Sequence, residues 1–197
     1  MEQEFIEFPK MARLSREVIV TEKIDGSNAQ ICITDDGQIL AGSRNRWITP
    51  QSDNFGFAGW VERNKEELLQ LGPGRHYGEW WGNGIQRRYG MKEKKFSLFN
   101  TQRWCRHDEE PVIISSPNSS MIKYQERLPK CCDLVPVLYK GVFDTNKIEE
   151  VLEDLRINGS KAAPGFSDPE GVIVYHIAAG IGFKKTIKDD GVPKSTL

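Results

Sequence analysis

The segment Thr21-Glu22-Lys23-Ile24-Asp25-Gly26-Ser27-Asn28 sets a lysine at the end of an apolar run, with Asp-Gly two residues beyond it. A lysine serves as a nucleophile when desolvation or neighbouring cations weaken its hold on its proton. A glycine in the turn that follows lets a phosphate approach the backbone. Alone, K-x-D-G also describes an ordinary solvated turn. Five further islands change that weighing. Ser43-Arg44-Asn45-Arg46 follows a hairpin, and Tyr77-Gly78-Glu79-Trp80-Trp81-Gly82 places one carboxylate among aromatic residues and glycines. Lys95-Phe96-Ser97-Leu98-Phe99-Asn100 carries two phenylalanines, Asp168-Pro169-Glu170-Gly171-Val172-Ile173-Val174 sets carboxylates at the start of an apolar strand, and Gly182-Phe183-Lys184-Lys185-Thr186 puts lysines inside another. A nucleophilic amine, cations, isolated carboxylates and an aromatic platform are the parts of phosphoryl-transfer chemistry.

The elements that position these islands are legible as patterns. Val18–Glu22 and Ala29–Thr34 flank the lysine turn, and Ala29, Ile31 and Ile33 alternate with polar residues at the period of a half-buried strand. Asp35-Asp36-Gly37-Gln38 is a turn, with Ile39–Gly42 returning as the next strand. Further strands are predicted at Arg75–Trp81, Lys95–Thr101, Leu134–Gly141, Gly171–His176 and Ile181–Ile187, the last two joined at Ala178-Ala179-Gly180. Gly59–Leu71 reads as a helix stopped by Gly72. Ile148, Val151, Leu152 and Leu155 form a helical core stripe, capped by Thr145 or Asn146 and ended by Gly159. Strands outnumber helices and hairpins outnumber crossovers, so an α+β fold of largely antiparallel sheets follows. No repeat or linker divides the chain, and residues 1–197 are expected to form one domain.

Composition narrows the remaining classes. The 197 residues carry 27 Lys+Arg against 28 Asp+Glu, a net charge of −1, so nucleic acid would have to be bound by a local basic patch rather than by bulk charge. The stretch Gln86–Lys95, with Arg87, Arg88, Lys92, Lys94, Lys95 and Tyr89, is a candidate patch, although a solvated face accounts for it equally simply. No apolar run approaches the roughly 18 residues needed to span a bilayer. The N-terminus is acidic and lacks a signal-peptide pattern. Cys32, Cys105, Cys131 and Cys132 form no C-x-x-C, and the three histidines are scattered, so reduced thiols in a cytoplasmic protein are expected.

Together and in this order, the six islands resemble the signature of the covalent nucleotidyltransferases, the polynucleotide ligases and messenger-RNA capping enzymes, from Glu22 to Lys185. Glu22-Lys23-Ile24-Asp25-Gly26-Ser27-Asn28 is similar to the E-K-x-x-G-[ST]-N pattern of the RNA ligase 2 type, whereas DNA ligases more often have Arg at the place of Asn28. Trp80-Trp81-Gly82-Asn83-Gly84-Ile85-Gln86 and Asn158-Gly159-Ser160 also look like phage-type RNA ligases. Two positions depart from the pattern. Asn100 stands where Asp is frequent, and the final lysines are adjacent instead of alternating, so Lys184 and Lys185 fall on opposite strand faces, with Lys184 the preferred match.

The resemblance implies an ATP-grasp-like ligase catalytic domain of antiparallel sheets and flanking helices, without a C-terminal OB-fold. It implies an RNA ligase, acting in RNA repair, that uses ATP and Mg²⁺ (or Mn²⁺) to join 3′-OH and 5′-phosphate RNA ends, a nicked duplex among the candidates, as a monomer with no membrane partner. Lys23 would form lysyl–AMP, with Lys184 and Lys185 as further catalytic lysines at the α-phosphate. Glu22, Asn28, Arg44, Glu79 and Phe99 would bind the nucleotide, Phe99 by stacking on adenine with Phe96 in reserve, and Glu170 would hold the metal. Each has a plainer alternative: Arg44 and Arg46 as loop charges, Glu79 paired with Arg75, the phenylalanines as core, Lys184 as an edge-strand lysine. A DNA ligase-type adenylyltransferase and a non-catalytic nucleotide- or RNA-binding module are the competing functions.

Overall fold

The run Val18-Ile19-Val20 has the β-branched composition of a strand buried on both faces. In the computed structural model, which describes residues 3–114, 123–188 and 190–191, this run forms the centre of β1 (Glu17–Lys23). It is followed by β2 (Ser27–Ile33), β3 (Ile39–Ser43) and β4 (Trp47–Ile48), then α1 (Phe57–Arg63), α2 (Lys65–Leu68) and a 3₁₀ turn at Leu69–Leu71. Next come β5 (Gly74–Gly82), β6 (Lys94–Leu98), β7 (Trp104–Cys105), β8 (Ile113–Ile114), β9 (Lys123–Tyr124), β10 (Glu126–Arg127) and β11 (Cys132–Leu134). The chain closes with β12 (Val137–Val142), α3 (Thr145–Asn158), β13 (Gly171–His176) and β14 (Ile181–Thr186).

Two sheets dominate. One has six strands in the order β11-β6-β5-β2-β3-β4, the other four in the order β12-β1-β13-β14. Pairing is antiparallel within both except between β11 and β6. This is the expected α+β architecture. The side-chain period of two then assigns faces. In the four-stranded sheet Val18, Val20, Val172 and Val174 pack on Ile148, Leu152 and Leu155 of α3. In the larger sheet Ala29, Ile31, Ile33, Trp80 and Phe96 pack on Phe57, Val61 and Leu68 of α1 and α2. The opposite faces of the two sheets look toward each other.

Three local features differ from the sequence reading, each for a stated reason. The predicted Gly59–Leu71 helix begins earlier, because the Asp53 carboxylate accepts from the Ala58 and Gly59 amides at 2.8 and 3.0 Å and fixes the first turn. It also breaks at Asn64, whose φ of −107° leaves the helical range and whose Nδ2 donates to Trp60 O. The cap of α3 is Asp144, one residue before the expected pair, accepting from the Asn146 amide at 2.8 Å. The predicted strand Leu134–Gly141 is two strands in two sheets: Val135 N donates to Leu98 O in the larger sheet, and the next carbonyl, of Pro136, accepts from Glu22 N in the smaller. Proline has no amide to continue a ladder, so the chain changes sheets there.

The α3 interface gives a direct test of this layering. Leu155 is 0% exposed and Ile157 is 71% exposed on the same helix. Leu155→Ala should lower unfolding stability by about 2–5 kcal/mol, and Ile157→Ala by less than about 0.5 kcal/mol, both read by urea denaturation.

Candidate active site

The facing surfaces of the two sheets enclose a cleft of about 1060 Å³, at the top of the range for small-molecule sites. Ile19, Thr21, Ile173, Tyr175 and Lys184 line it from the four-stranded sheet, and Asn28, Tyr77, Glu79 and Phe99 from the six-stranded side. The Lys23–Gly26 turn forms its floor.

Register puts Lys23 there. In the antiparallel β1–β13 pair Lys23 lies opposite Gly171, so Glu170 arrives beside the lysine, and Nζ meets Glu170 Oε2 at 2.5 Å. Upstream, the β1–β12 register shifts between Val20 and Thr21, with Leu138 of β12 as the unpaired residue. A side chain at 171 is excluded, because an added Cβ would lie 2.7 Å from Thr186 Cα of β14. Gly26 is required for the same reason: a Cβ there would stand 2.6 Å from Trp80 O and 2.7 Å from Trp81 Cβ. The glycines of both islands therefore answer to backbone close approach.

Glu79 organises the opposite side. Its Oε1 accepts from Gly26 N and its Oε2 from Asn28 Nδ2, both at 3.0 Å. Arg75, the plainer partner considered for it, instead donates to Gln30 and lies over the Trp47 ring. Burial pushes the Glu79 carboxyl up to about 7, against the opposing pull of Lys23. Phe99 is 42% exposed on the cleft wall, while Phe96 is fully buried against Phe57 and Trp60; the reserve platform is core. Arg44 and Lys184 both line the cleft, and their side chains make no hydrogen bond or ion pair with any described residue.

Glu22 lines the cleft with its carboxylate engaged by protein groups, and Lys185 stands apart from it. The Glu22 carboxylate is engaged by Ser160 Oγ at 2.5 Å and by the amides of Lys161 and Ala162 at 2.7 and 2.9 Å, which ties the end of β1 to the chain beyond α3. Lys185 faces α3 and pairs with Glu149 at 2.8 Å, as strand alternation requires once Lys184 faces the cleft. The predicted 86–95 patch is also largely dispersed. Lys94 donates to Phe55 O, Lys95 pairs with Asp133, Arg87 and Tyr89 turn inward, and Arg88 and Lys92 remain as exposed side chains. A positive-φ loop has no side-chain period, so nothing in the sequence marks which of these residues point in.

The RNA ligase family model matches residues 16–188. The chain belongs to the RNA ligase family. Solved structures of an RNA ligase from Naegleria gruberi share the fold. A variant with AMP and manganese superposes with a TM-score of 0.55 at 19% identity over 88% of this chain and 50% of its own. A variant with ATP and manganese gives 0.55 at 18% identity over 95% and 58%, and an apo variant gives 0.54 at 18% over 87% and 50%. The chain spans about half the length of these relatives. No curated protein sequence matches it. No helix among the described residues is long and apolar enough to cross a membrane.

The raised Glu79 carboxyl sets a pH dependence. An unfolded glutamate ionises near 4.5 and the folded one near 7. The stability of the neutral form is therefore complete below about pH 4.5, declines as pH rises to about 7, and then levels off. Glu79→Gln cannot ionise. Its unfolding free energy relative to the native chain should rise by about 2–3 kcal/mol between pH 4.5 and 8, measured by urea unfolding of both proteins across that range.

Proposed function

We propose that this domain performs the adenylyl-transfer chemistry of an ATP-dependent RNA ligase, with Lys23 as nucleophile. The observation that carries the reading is the Lys23–Glu170 pair at the floor of a nucleotide-sized cleft. Family membership and the ATP- and AMP-bound state of the Naegleria neighbours support it.

Phe99 stacks on adenine, an aromatic face worth about 1–3 kcal/mol to a base. Glu79 and Arg44 hold the ribose and phosphate region from the larger sheet, and Lys184 meets the α-phosphate from the smaller one. Arg44 and Lys184, the cleft-lining cations whose side chains have no partner among the described residues, thus place positive charge on both walls for a polyanion. The Lys23 ammonium loses one proton to solvent before attack and a second as Nζ bonds to the α-phosphorus, while the bond to the β-phosphate oxygen breaks and pyrophosphate leaves. The 5′-phosphate of an RNA end then displaces Lys23, giving an adenylylated end, and a 3′-hydroxyl displaces AMP to seal the strand. Glu22 holds the nucleophile strand in place.

A divalent cation fits this donor set. Mg²⁺ or Mn²⁺ commonly takes one or two carboxylates together with phosphate oxygens and water, and Glu170 offers one carboxylate directed at the lysine. No cluster of three or more metal-binding side chains occurs among the described residues. When bound, the cation would neutralise phosphate charge and compete with Lys23 for Glu170. We read residues 1–197 as one nucleotidyltransferase domain, a cytoplasmic monomer in RNA repair, with 5′-phosphate and 3′-hydroxyl RNA ends, including nicks, as substrate.

Incubation with Mg²⁺ and α-labelled ATP tests the reading. The native chain should acquire protein-bound AMP, Lys23→Ala none, and Phe99→Ala should need about tenfold more ATP. An unlabelled native chain would overturn the enzyme in favour of a binding module. Nicked duplexes with RNA or DNA on the 3′-hydroxyl side then distinguish an RNA ligase from a DNA ligase.

A further inference from the structure

The chain between β5 and β6 borders the cleft, yet its inward side chains have no part in the chemistry above. Gln86, Arg88 and Tyr89 adopt φ values of +43°, +58° and +52°, a region that side-chain-bearing residues occupy only where contacts hold them. The contacts are specific. Tyr89 is 3% exposed, its ring packs on Trp81 and Phe166, and its hydroxyl accepts from the Asp25 amide at 2.7 Å. Arg87 Nε donates to Asp25 Oδ2 at 3.0 Å. Its Nη1 donates to Asp168 Oδ2 at 2.6 Å and to the Asp168 carbonyl at 2.9 Å.

The spacing of these partners gives the arrangement its meaning. Asp25 lies two residues after Lys23, and Asp168 two residues before Glu170. One guanidinium thus spans the two segments whose ends bring ammonium and carboxylate together at 2.5 Å. We propose that Arg87 is a positioning residue for Lys23, a strut that sets the separation between the nucleophile turn and the Glu170 segment.

Two physical arguments favour this over a plain surface ion pair. The planar guanidinium presents donors in fixed directions and engages two separate acceptors at once, which an ammonium on a flexible stem cannot reproduce. The Asp25 end is also mostly buried, with side-chain exposures of 24% for Arg87 and 11% for Asp25, whereas a plain surface ion pair is solvated and worth little. Displacement of a reacting group by about 1 Å, by contrast, costs on the order of 100-fold in rate. Arg87 should therefore act on the rate through the position of Lys23.

The proposal rests on Lys23 being the nucleophile, and its test separates the two. In single-turnover lysyl–AMP formation by the full chain, Arg87→Gln should lower the maximal rate by about 10–100-fold with the ATP concentration at half-rate changed less than about threefold. Arg87→Lys should remain at least about fivefold slow, since it reaches one acceptor at a time. Asp168→Asn should be slow as well, and no slower when combined with Arg87→Gln. An Arg87→Gln rate within twofold of the native chain, or full rescue by Arg87→Lys, overturns the strut. Hydrogen exchange tests it without chemistry: amides of residues 24–28 should lose protection about tenfold in Arg87→Gln. An unlabelled native chain with that loosening removes the nucleophile reading and keeps the strut; unchanged exchange removes the strut.

Discussion

An ammonium and a carboxylate 147 residues apart in the chain meet at 2.5 Å, and much of the architecture is what that meeting requires. Glu170 is 3% exposed and Lys23 22%, so neither charge has enough water to be solvated alone, and each is the other's compensation. The β1–β13 register must be held to the residue, because a slip by one would turn Lys23 away from the cleft. The change of sheet at Pro136, whose carbonyl accepts from Glu22 N, and the fixing of the Glu22 carboxylate by Ser160, Lys161 and Ala162 both act on the last residues of β1. Packing on α3 supplies the stability, and these polar devices supply the aim.

The larger sheet solves a different problem. A turn that presents its backbone to a ligand leaves amides without partners, and a buried amide left unpaired is costly. Here the Asp25 amide is satisfied by Tyr89 and the Gly26 amide by Glu79. Glu79 therefore has a structural task before any ligand arrives, and its burial makes the ionised form expensive at neutral pH. A ligand hydroxyl donating to this carboxylate would stabilise the charged form. Binding and ionisation at Glu79 are in this way linked, although neither sheet has to move.

The parts legible in the sequence were those governed by a period or by a backbone constraint. Alternation separated Lys184 from Lys185 and assigned Ala29, Ile31 and Ile33 to the core, because strand side chains have only two directions. Lys23, Gly26, Phe99 and Glu170 sit at strand ends and turns, where residue type is constrained locally, Glu79 lies within β5, and the structure brings all five to one cleft. What was not legible lacks a period. The inward turns of Arg87 and Tyr89 depend on a loop of left-handed residues. The division between β11 and β12 depends on which sheet offers a partner to each side of Pro136. The engagement of Glu22 depends on a serine 138 residues away.

Charge balance was the weakest guide, and the structure shows why. Net charge sums over cations that are already spoken for: Lys23 by Glu170, Arg87 by Asp25 and Asp168, Lys188 by Asp168, and Lys185 by Glu149. Each pair nearly cancels at the distance of a ligand, whatever it adds to the total. The field inside the cleft is set by what is left over, and Arg44 and Lys184 on facing walls are the cations lining it whose side chains have no partner among the described residues. Two uncompensated charges on facing walls attract a polyphosphate more effectively than many compensated ones on a surface. A net charge of −1 is thus compatible with an anion site, because affinity for phosphate follows the local remainder and not the sum.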